Sequence, residues 1–139
     1  MSKRFIIGLV IALCFLSGCS RWKPVAYTPN ILDADDLPQQ LQRMIEEQGH
    51  APLNLVVTDE KLSGDVISAS QYAASASSYV VYYDRIETIE IFTAKGKYAV
   101  LMKGKGGKLL LRLVSQDPEE ANHMADVVAT LVQRAKSKQ

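Results

Sequence analysis

Few side chains in this sequence are of the kinds that carry catalysis or hold a metal ion. The two histidines, His50 and His123, and the two cysteines, Cys14 and Cys19, match no metal-ligand spacing. The adjacent carboxylates fall at predicted helix ends or exposed turns, where no cleft would raise the pKa of one partner. Three of these pairs are Asp35-Asp36, Glu46-Glu47 and Glu119-Glu120. We therefore expect no enzyme, no metal site and no cofactor.

The thiol of Cys19 has the most informative surroundings. Basic Lys3 and Arg4 precede an apolar run from Phe5 to Leu16, and small residues then lead to the cysteine. This order is the layout of a secretory signal, and the apolar run is too short to span a bilayer stably. An ordinary signal peptide that ends in Gly-Cys is the alternative interpretation.

The stretch Leu16-Ser17-Gly18-Cys19 resembles the lipobox of bacterial lipoproteins. The resemblance implies that residues 1–18 are a cleaved signal peptide and that Cys19 is the acylated first residue of the mature protein. Ser20 is not acidic, which in this class implies the periplasmic face of the outer membrane. The expected membrane contact is therefore a lipid anchor.

The composition of the mature chain excludes some classes of protein. Loss of Lys3 and Arg4 leaves 14 of the 16 basic residues against 15 acidic ones, so no nucleic-acid partner is expected. With Cys14 removed and Cys19 acylated, no thiol remains for a disulfide, and stability must come from a core. About 120 mature residues suffice for one domain.

Residues 19–32 are interpreted as the lipidated cysteine and a tether, because Pro24 and Pro29 interrupt any periodicity. Thirteen free residues would reach roughly 40 Å if extended. Residues beside the lipid suit either an interfacial anchor or a solvated linker; they are Arg21, Trp22 and Lys23.

Residues 33–139 are expected to form a single α+β domain. Apolar residues from Leu37 to Ile45 recur at helical spacing and predict a short amphipathic helix that stops at Gly49. Leu53–Thr58 and, more weakly, Val66–Tyr72 are predicted strands. Ser68–Ser78 is almost entirely serine and alanine, and it predicts an edge strand and loop, with a binding loop as the alternative.

Three later runs are predicted strands of a meander with one apolar face: Ile86–Thr93, Tyr98–Lys103 and Leu109–Ser115. If Lys95-Gly96 is a two-residue turn, Ile91 faces Val100 and Ile89 faces Met102. If Gly104 to Gly107 is a four-residue loop, the next strand follows in a fixed register. Met102 then faces Leu109, Val100 faces Leu111 and Tyr98 faces Leu113.

The opposite face of this meander mixes apolar and charged residues. We define the meander face as four of its apolar residues, which would be unfavourable in water and form the candidate partner surface: Phe92, Leu101, Leu110 and Val114. Three things could shield the meander face from water: the first helix, the curvature of the sheet itself, or a bound partner.

The stretch between Ala94 and Gln116 carries six cations and no acid. Four of them are the candidate anion-binding residues: Lys103, Lys105, Lys108 and Arg112. A solvated hairpin rim, in which lysines blunt edge pairing, is the alternative. The glycine-rich loop Gly104–Lys108 lacks the Walker spacing and precedes a strand, so it is not a phosphate loop.

A capping sequence at Asp117 to Glu120 opens a long amphipathic helix with cations near its end. The fold class is therefore α+β, an antiparallel meander or partial barrel with a short N-terminal and a long C-terminal helix. Over roughly Leu53 to Lys136, this pattern resembles bacterial members of the pleckstrin-homology-like superfamily. That resemblance implies a binding platform. Phosphoinositide binding does not carry over, because the basic cluster lies in the late hairpins.

The sequence therefore predicts a lipid-anchored envelope module that binds another envelope protein without catalysis. The alternative is a headgroup- or glycan-binding module that uses the lysine-rich hairpins.

Overall fold

The computed structural model describes residues 22–48, 51–69 and 74–139, with no side-chain description for residues 66–76. The signal segment, Cys19 and His50 lie outside these ranges. The fold is α+β, with two antiparallel sheets that do not close into a barrel, a short helix and a long C-terminal helix, as the sequence predicts.

The four-stranded sheet has the order β1-β5-β6-β7, and the three-stranded sheet has the order β2-β3-β4. Short 3₁₀ turns precede β5 and β7. The elements in chain order are β1 (Lys23–Val25), α1 (Leu37–Glu46), β2 (Leu53–Val57), β3 (Lys61–Ala69), β4 (Ala74–Tyr82), β5 (Thr88–Ala94), β6 (Lys97–Lys103), β7 (Leu109–Ser115) and α2 (Pro118–Ser137).

Helix α2 begins where the capping sequence predicts. The Asp117 carboxylate accepts a hydrogen bond from the Glu119 amide at 3.0 Å, and Pro118 occupies the first turn. The carboxylate provides an acceptor for an amide that the helix leaves without a partner, and proline has no amide hydrogen that would need one. Arg134 and Lys136 lie in the last turn, where cations favour the negative end of the helix dipole.

The core lies between α2 and the strands. Helix α2 packs across β5, β6 and β7, and its Met124 and Leu131 are fully buried with Val100 of β6. Helix α1 packs against α2 and β2 and buries Leu41 in the same core. The apolar stripe of α1 packs mainly against α2 and β2, and within the meander face Leu110 lines a cavity together with Ile45 of α1.

The predicted register of β5 and β6 is confirmed. Ile91 pairs with Val100 and Ile89 with Met102 across the Lys95-Gly96 turn. Both turn residues have positive φ, 49° at Lys95 and 77° at Gly96, as a two-residue hairpin of the primed type requires.

The predicted register of β6 and β7 is wrong by two residues. Met102 pairs with Leu111 and Val100 with Leu113, and a bulge separates Met102 from the Lys103–Leu109 pair. The loop spans five residues, Gly104–Lys108, instead of the expected four. It is closed by a hydrogen bond that the Gly104 amide donates to the Lys108 carbonyl at 2.8 Å. The bulge turns Leu109 outward, where it is 51% exposed, whereas Leu111 and Leu113 keep the core side.

Strands β3 and β4 are longer than the sequence predicts. Strand β3 begins at Lys61, and β4 begins at Ala74, inside the serine and alanine stretch. The pairs Ser68–Ser75 and Ala69–Ala74 continue the ladder, because backbone hydrogen bonds need no large side chain. Within the predicted edge strand, residues 74–78 lie in β4 at an end of the sheet, whereas Ser68 and Ala69 belong to the central strand β3.

The segment interpreted as a tether is folded onto the domain from residue 22 onward. Strand β1 pairs with β5, and the next residues run along α2. The Asp126 carboxylate accepts hydrogen bonds from the Tyr27 hydroxyl at 2.9 Å and the Asn30 amide at 3.1 Å. Further along, Arg134 donates to the Ala34 carbonyl at 2.7 Å. Hydrogen bonds to the polar side of α2 thus replace the free chain expected for residues 22–32.

We expect Leu131→Ala to lower the free energy of unfolding by about 2–5 kcal/mol, because it leaves a cavity where α2 meets the sheets. Leu109→Ala, in an exposed position, should change it by less than about 0.5 kcal/mol. Urea unfolding of both variants measures the difference, and equal losses would contradict the bulged register.

Loss of the Asp126 contacts should loosen the N-terminal segment. Tyr27→Phe removes one partly buried hydrogen bond and should cost about 1 kcal/mol of unfolding free energy. Asp126→Ala removes two acceptor contacts and should cost more. Gln133→Ala, at an exposed position of α2, is the matched control. Wild-type stability in both test variants would show that the segment is not held by these bonds.

Candidate docking surfaces

The predicted partner surface lies on one face of the four-stranded sheet but is half covered. The register aligns Phe92, Ala99 and Val114 across β5, β6 and β7. Ala99 is buried, while Phe92, Leu101, Leu110 and Val114 are each partly buried. The meander face is therefore neither core nor an open apolar surface.

Neighbouring side chains of the same domain supply this partial cover. Lys103 forms an ion pair with Glu90 at 2.8 Å, and its ammonium lies 6.0 Å from the centre of the Phe92 ring. Leu110 folds against the backbone of its own hairpin, since a Cβ added at Gly104 would meet its Cδ1 at 2.9 Å. Less apolar area is thus left for a partner than the sequence indicates.

The structure divides the predicted anion-binding residues. Of the four predicted residues, Lys103, Lys105 and Lys108 lie at one end of the β6–β7 hairpin. The two other cations of this stretch, Lys95 and Lys97, lie at the other end of β6, roughly 20 Å away for a seven-residue strand. Lys103 is already paired with Glu90. Arg112 stacks on Trp22, with its Cζ 5.0 Å from the ring centre. These cations do not form a single patch.

Most of the exposed large hydrophobic side chains of the described residues lie elsewhere, on the three-stranded sheet. Six large hydrophobic side chains are markedly exposed in the described part, and four of them belong to β2 and β4. They are Leu53 (54% exposed), Val56 (47%), Val80 (51%) and Tyr82 (41%). We name these four residues the outer face.

Strand register explains why these side chains share one face. Val56 pairs with Ser63, and Ser63 pairs with Val80, so all three point to the same side of the sheet. A bulge at Asn54, whose φ is 52°, brings Leu53 opposite Asp65 on that side as well. The opposite side of β4 carries buried Val81, which joins the core.

A polar rim surrounds the outer face. The ammonium of Lys61 and the guanidinium of Arg85 lie 5.9 and 5.7 Å from the centre of the Tyr82 ring. At the other end, Asp65 accepts hydrogen bonds from Asn54 at 2.8 Å and Ser78 at 2.6 Å. These two bonds lower the pKa of the Asp65 carboxyl below its ordinary value. An apolar centre with a charged rim is the usual anatomy of a protein interface.

This surface is not among the sequence predictions, although the sequence contains a signal for it. The run Tyr79 to Tyr83 is apolar throughout and predicts a strand without saying which residues face the core. Since successive side chains of a strand alternate, burial of Val81 and Tyr83 forces Val80 and Tyr82 outward. The sequence did not show which side of this strand faces the core, and therefore did not show which residues are exposed.

Potential catalytic groups are dispersed in the residues that the structure describes. Within these ranges, no group of three or more His, Cys, Asp or Glu side chains could hold a metal ion. His123 lies on the exposed side of α2, where its Nε2 is 3.0 Å from the Gln40 side-chain oxygen. Among the same residues, no helix is long and apolar enough to cross a bilayer.

Buried Tyr83 and partly buried Tyr27 serve as structural donors. The Tyr83 hydroxyl donates to the Lys61 carbonyl at 3.2 Å, and burial raises its pKa far above the usual value. Burial, followed by the hydrogen bond to Asp126, likewise raises the pKa of Tyr27. Both phenols therefore stay protonated and keep their bonds across the physiological pH range.

Comparison of the chain with protein-family models, with curated proteins and with solved structures found no match.

Proposed function

We propose that this protein is a lipid-anchored, non-catalytic module of the bacterial cell envelope that binds another envelope protein through its outer face. The observation that carries the binding part is the concentration of exposed apolar side chains on one side of the three-stranded sheet. The anchor part is supported by the signal layout and by Leu16-Ser17-Gly18-Cys19.

The arrangement of the chain near Cys19 fits a module held close to its membrane. Strand β1 begins at Lys23, so only a few residues separate the domain from the acylated position. A Ser20 that is not acidic favours the outer membrane and its periplasmic face. The order of two antiparallel sheets followed by a long helix supports membership of the pleckstrin-homology-like superfamily as part of the same proposal.

The apolar area of the outer face limits the free energy of binding that it can contribute. Burying the exposed half of four large side chains contributes on the order of 4 kcal/mol before the cost of association is subtracted. A stable complex therefore needs contacts to the rim as well. Lys61, Asp65 and Arg85 offer both signs of charge there, which suits a protein surface.

Substitution of Cys19 tests the anchor. Cys19→Ala should leave an unprocessed or misplaced precursor, whereas the wild-type chain should partition wholly with membranes, since two or more acyl chains anchor a protein stably. Membrane fractionation with palmitate labelling measures both properties. Unlabelled wild-type protein in the soluble fraction would contradict the anchor.

Site-specific cross-linking tests the outer face. A photo-reactive residue at Val80 of the full chain in cells should give a discrete protein adduct, and one at Leu109, which is equally exposed outside the outer face, should not. Adding Val56→Glu should reduce the adduct about tenfold or more, because it places a charge in the apolar centre.

Thermal unfolding provides the control for that experiment. Because Val56 is about half exposed, Val56→Glu should change stability by less than about 1 kcal/mol. Adducts of equal yield from Val80 and Leu109, or a Val80 adduct that survives Val56→Glu, would overturn the assignment of this face.

A further inference from the structure

An open groove of about 770 Å³ lies at the end of the four-stranded sheet where the chain enters the domain. Trp22 forms one wall, and the end of α1 and the first turn of α2 contribute others. Arg112 of β7 lines the groove and stacks on Trp22 at 5.0 Å. We name this cavity the Trp22 groove.

The described residues that line the Trp22 groove include cations and carboxylates that form no salt bridge with one another. Lys97 and Arg112 supply two cations, and Glu47 and Glu120 supply two carboxylates. In the part of the chain that the structure describes, the one salt bridge within 4.0 Å is Lys103–Glu90, which lies outside the groove. The groove therefore presents separated positive and negative groups beside an indole ring.

The position of Trp22 places this groove near the membrane. Trp22 follows Cys19 by three residues, and three residues of extended chain reach only about 10 Å. If Cys19 is acylated, one wall of the groove lies within that distance of the lipid anchor. Tryptophan also favours the headgroup zone of a bilayer.

We propose that the Trp22 groove binds the phosphoethanolamine headgroup of a zwitterionic membrane lipid. The guanidinium of Arg112 and the ammonium of Lys97 suit the phosphate, whereas Glu47 and Glu120 suit the headgroup ammonium. Purely anionic headgroups fit this site less well, because the two carboxylates would repel them. The proposal rests on the lipid anchor for its membrane source, and it gives the anchored domain a fixed orientation.

The protein contains its own reporter for this site. Trp22 is the sole tryptophan of the chain, so its fluorescence reports on the groove alone. The full chain in a non-ionic detergent, titrated with soluble glycerophosphoethanolamine, should show a saturable change in emission. Glycerophosphoglycerol, inorganic phosphate and ethanolamine should each bind about tenfold more weakly or worse, because each meets only one sign of charge.

Matched variants locate the binding groups. Glu120→Gln and Lys97→Gln should each weaken glycerophosphoethanolamine about tenfold, since each removes one charged contact. Lys108→Gln, an exposed lysine at the other end of the sheet, should leave the titration unchanged. An equal response to glycerophosphoglycerol, or an equal loss in Lys108→Gln, would overturn the proposal.

The titration separates this proposal from the anchor on which it rests. Membrane-bound, palmitate-labelled protein without a saturable response would contradict the groove and leave the anchor standing. A saturable, charge-selective response in protein that carries no lipid would support the groove and contradict the anchor.

Discussion

Burial of the apolar stripe of α2 is the constraint on which the rest of this structure depends. The two sheets do not close into a barrel, so neither could bury its inner face without the helix. Met124, Val128 and Leu131 are almost completely buried, and they belong to one core cluster with residues of α1 and of both sheets. At roughly 1.5–3 kcal/mol for each large side chain, this seam outweighs any surface contact of the domain.

The polar side of the same helix determines how the domain begins. Asp126, Thr130 and Arg134 hold the backbone of residues 30–34, and β1 fixes the chain upstream of them against β5. One helix thus organises the core with its apolar side and the N-terminal segment with its polar side. Trp22, at the start of that segment, consequently has a defined place over Arg112.

Sequence predicted those features that local chemistry determines. The Asp117 cap located α2, and the two-residue turn at Lys95-Gly96 set the β5–β6 register. The β6–β7 register was beyond reach, because a bulge and a five-residue turn depend on backbone geometry that glycines permit without specifying. Strand β1 was also missed, since three residues with a central proline pair only because β5 offers a free edge.

Residues 22–34 are folded onto the domain, so only Ser20 and Arg21 separate the first described residue from Cys19. Hydrogen exchange of the full chain is the sharpest test of this fold. The amides of Asn30 and Leu32, which donate to Asp126 and Thr130, should exchange at least about a hundredfold more slowly than in a free chain. Exchange of residues 23–34 at the rate of an unstructured peptide would contradict it.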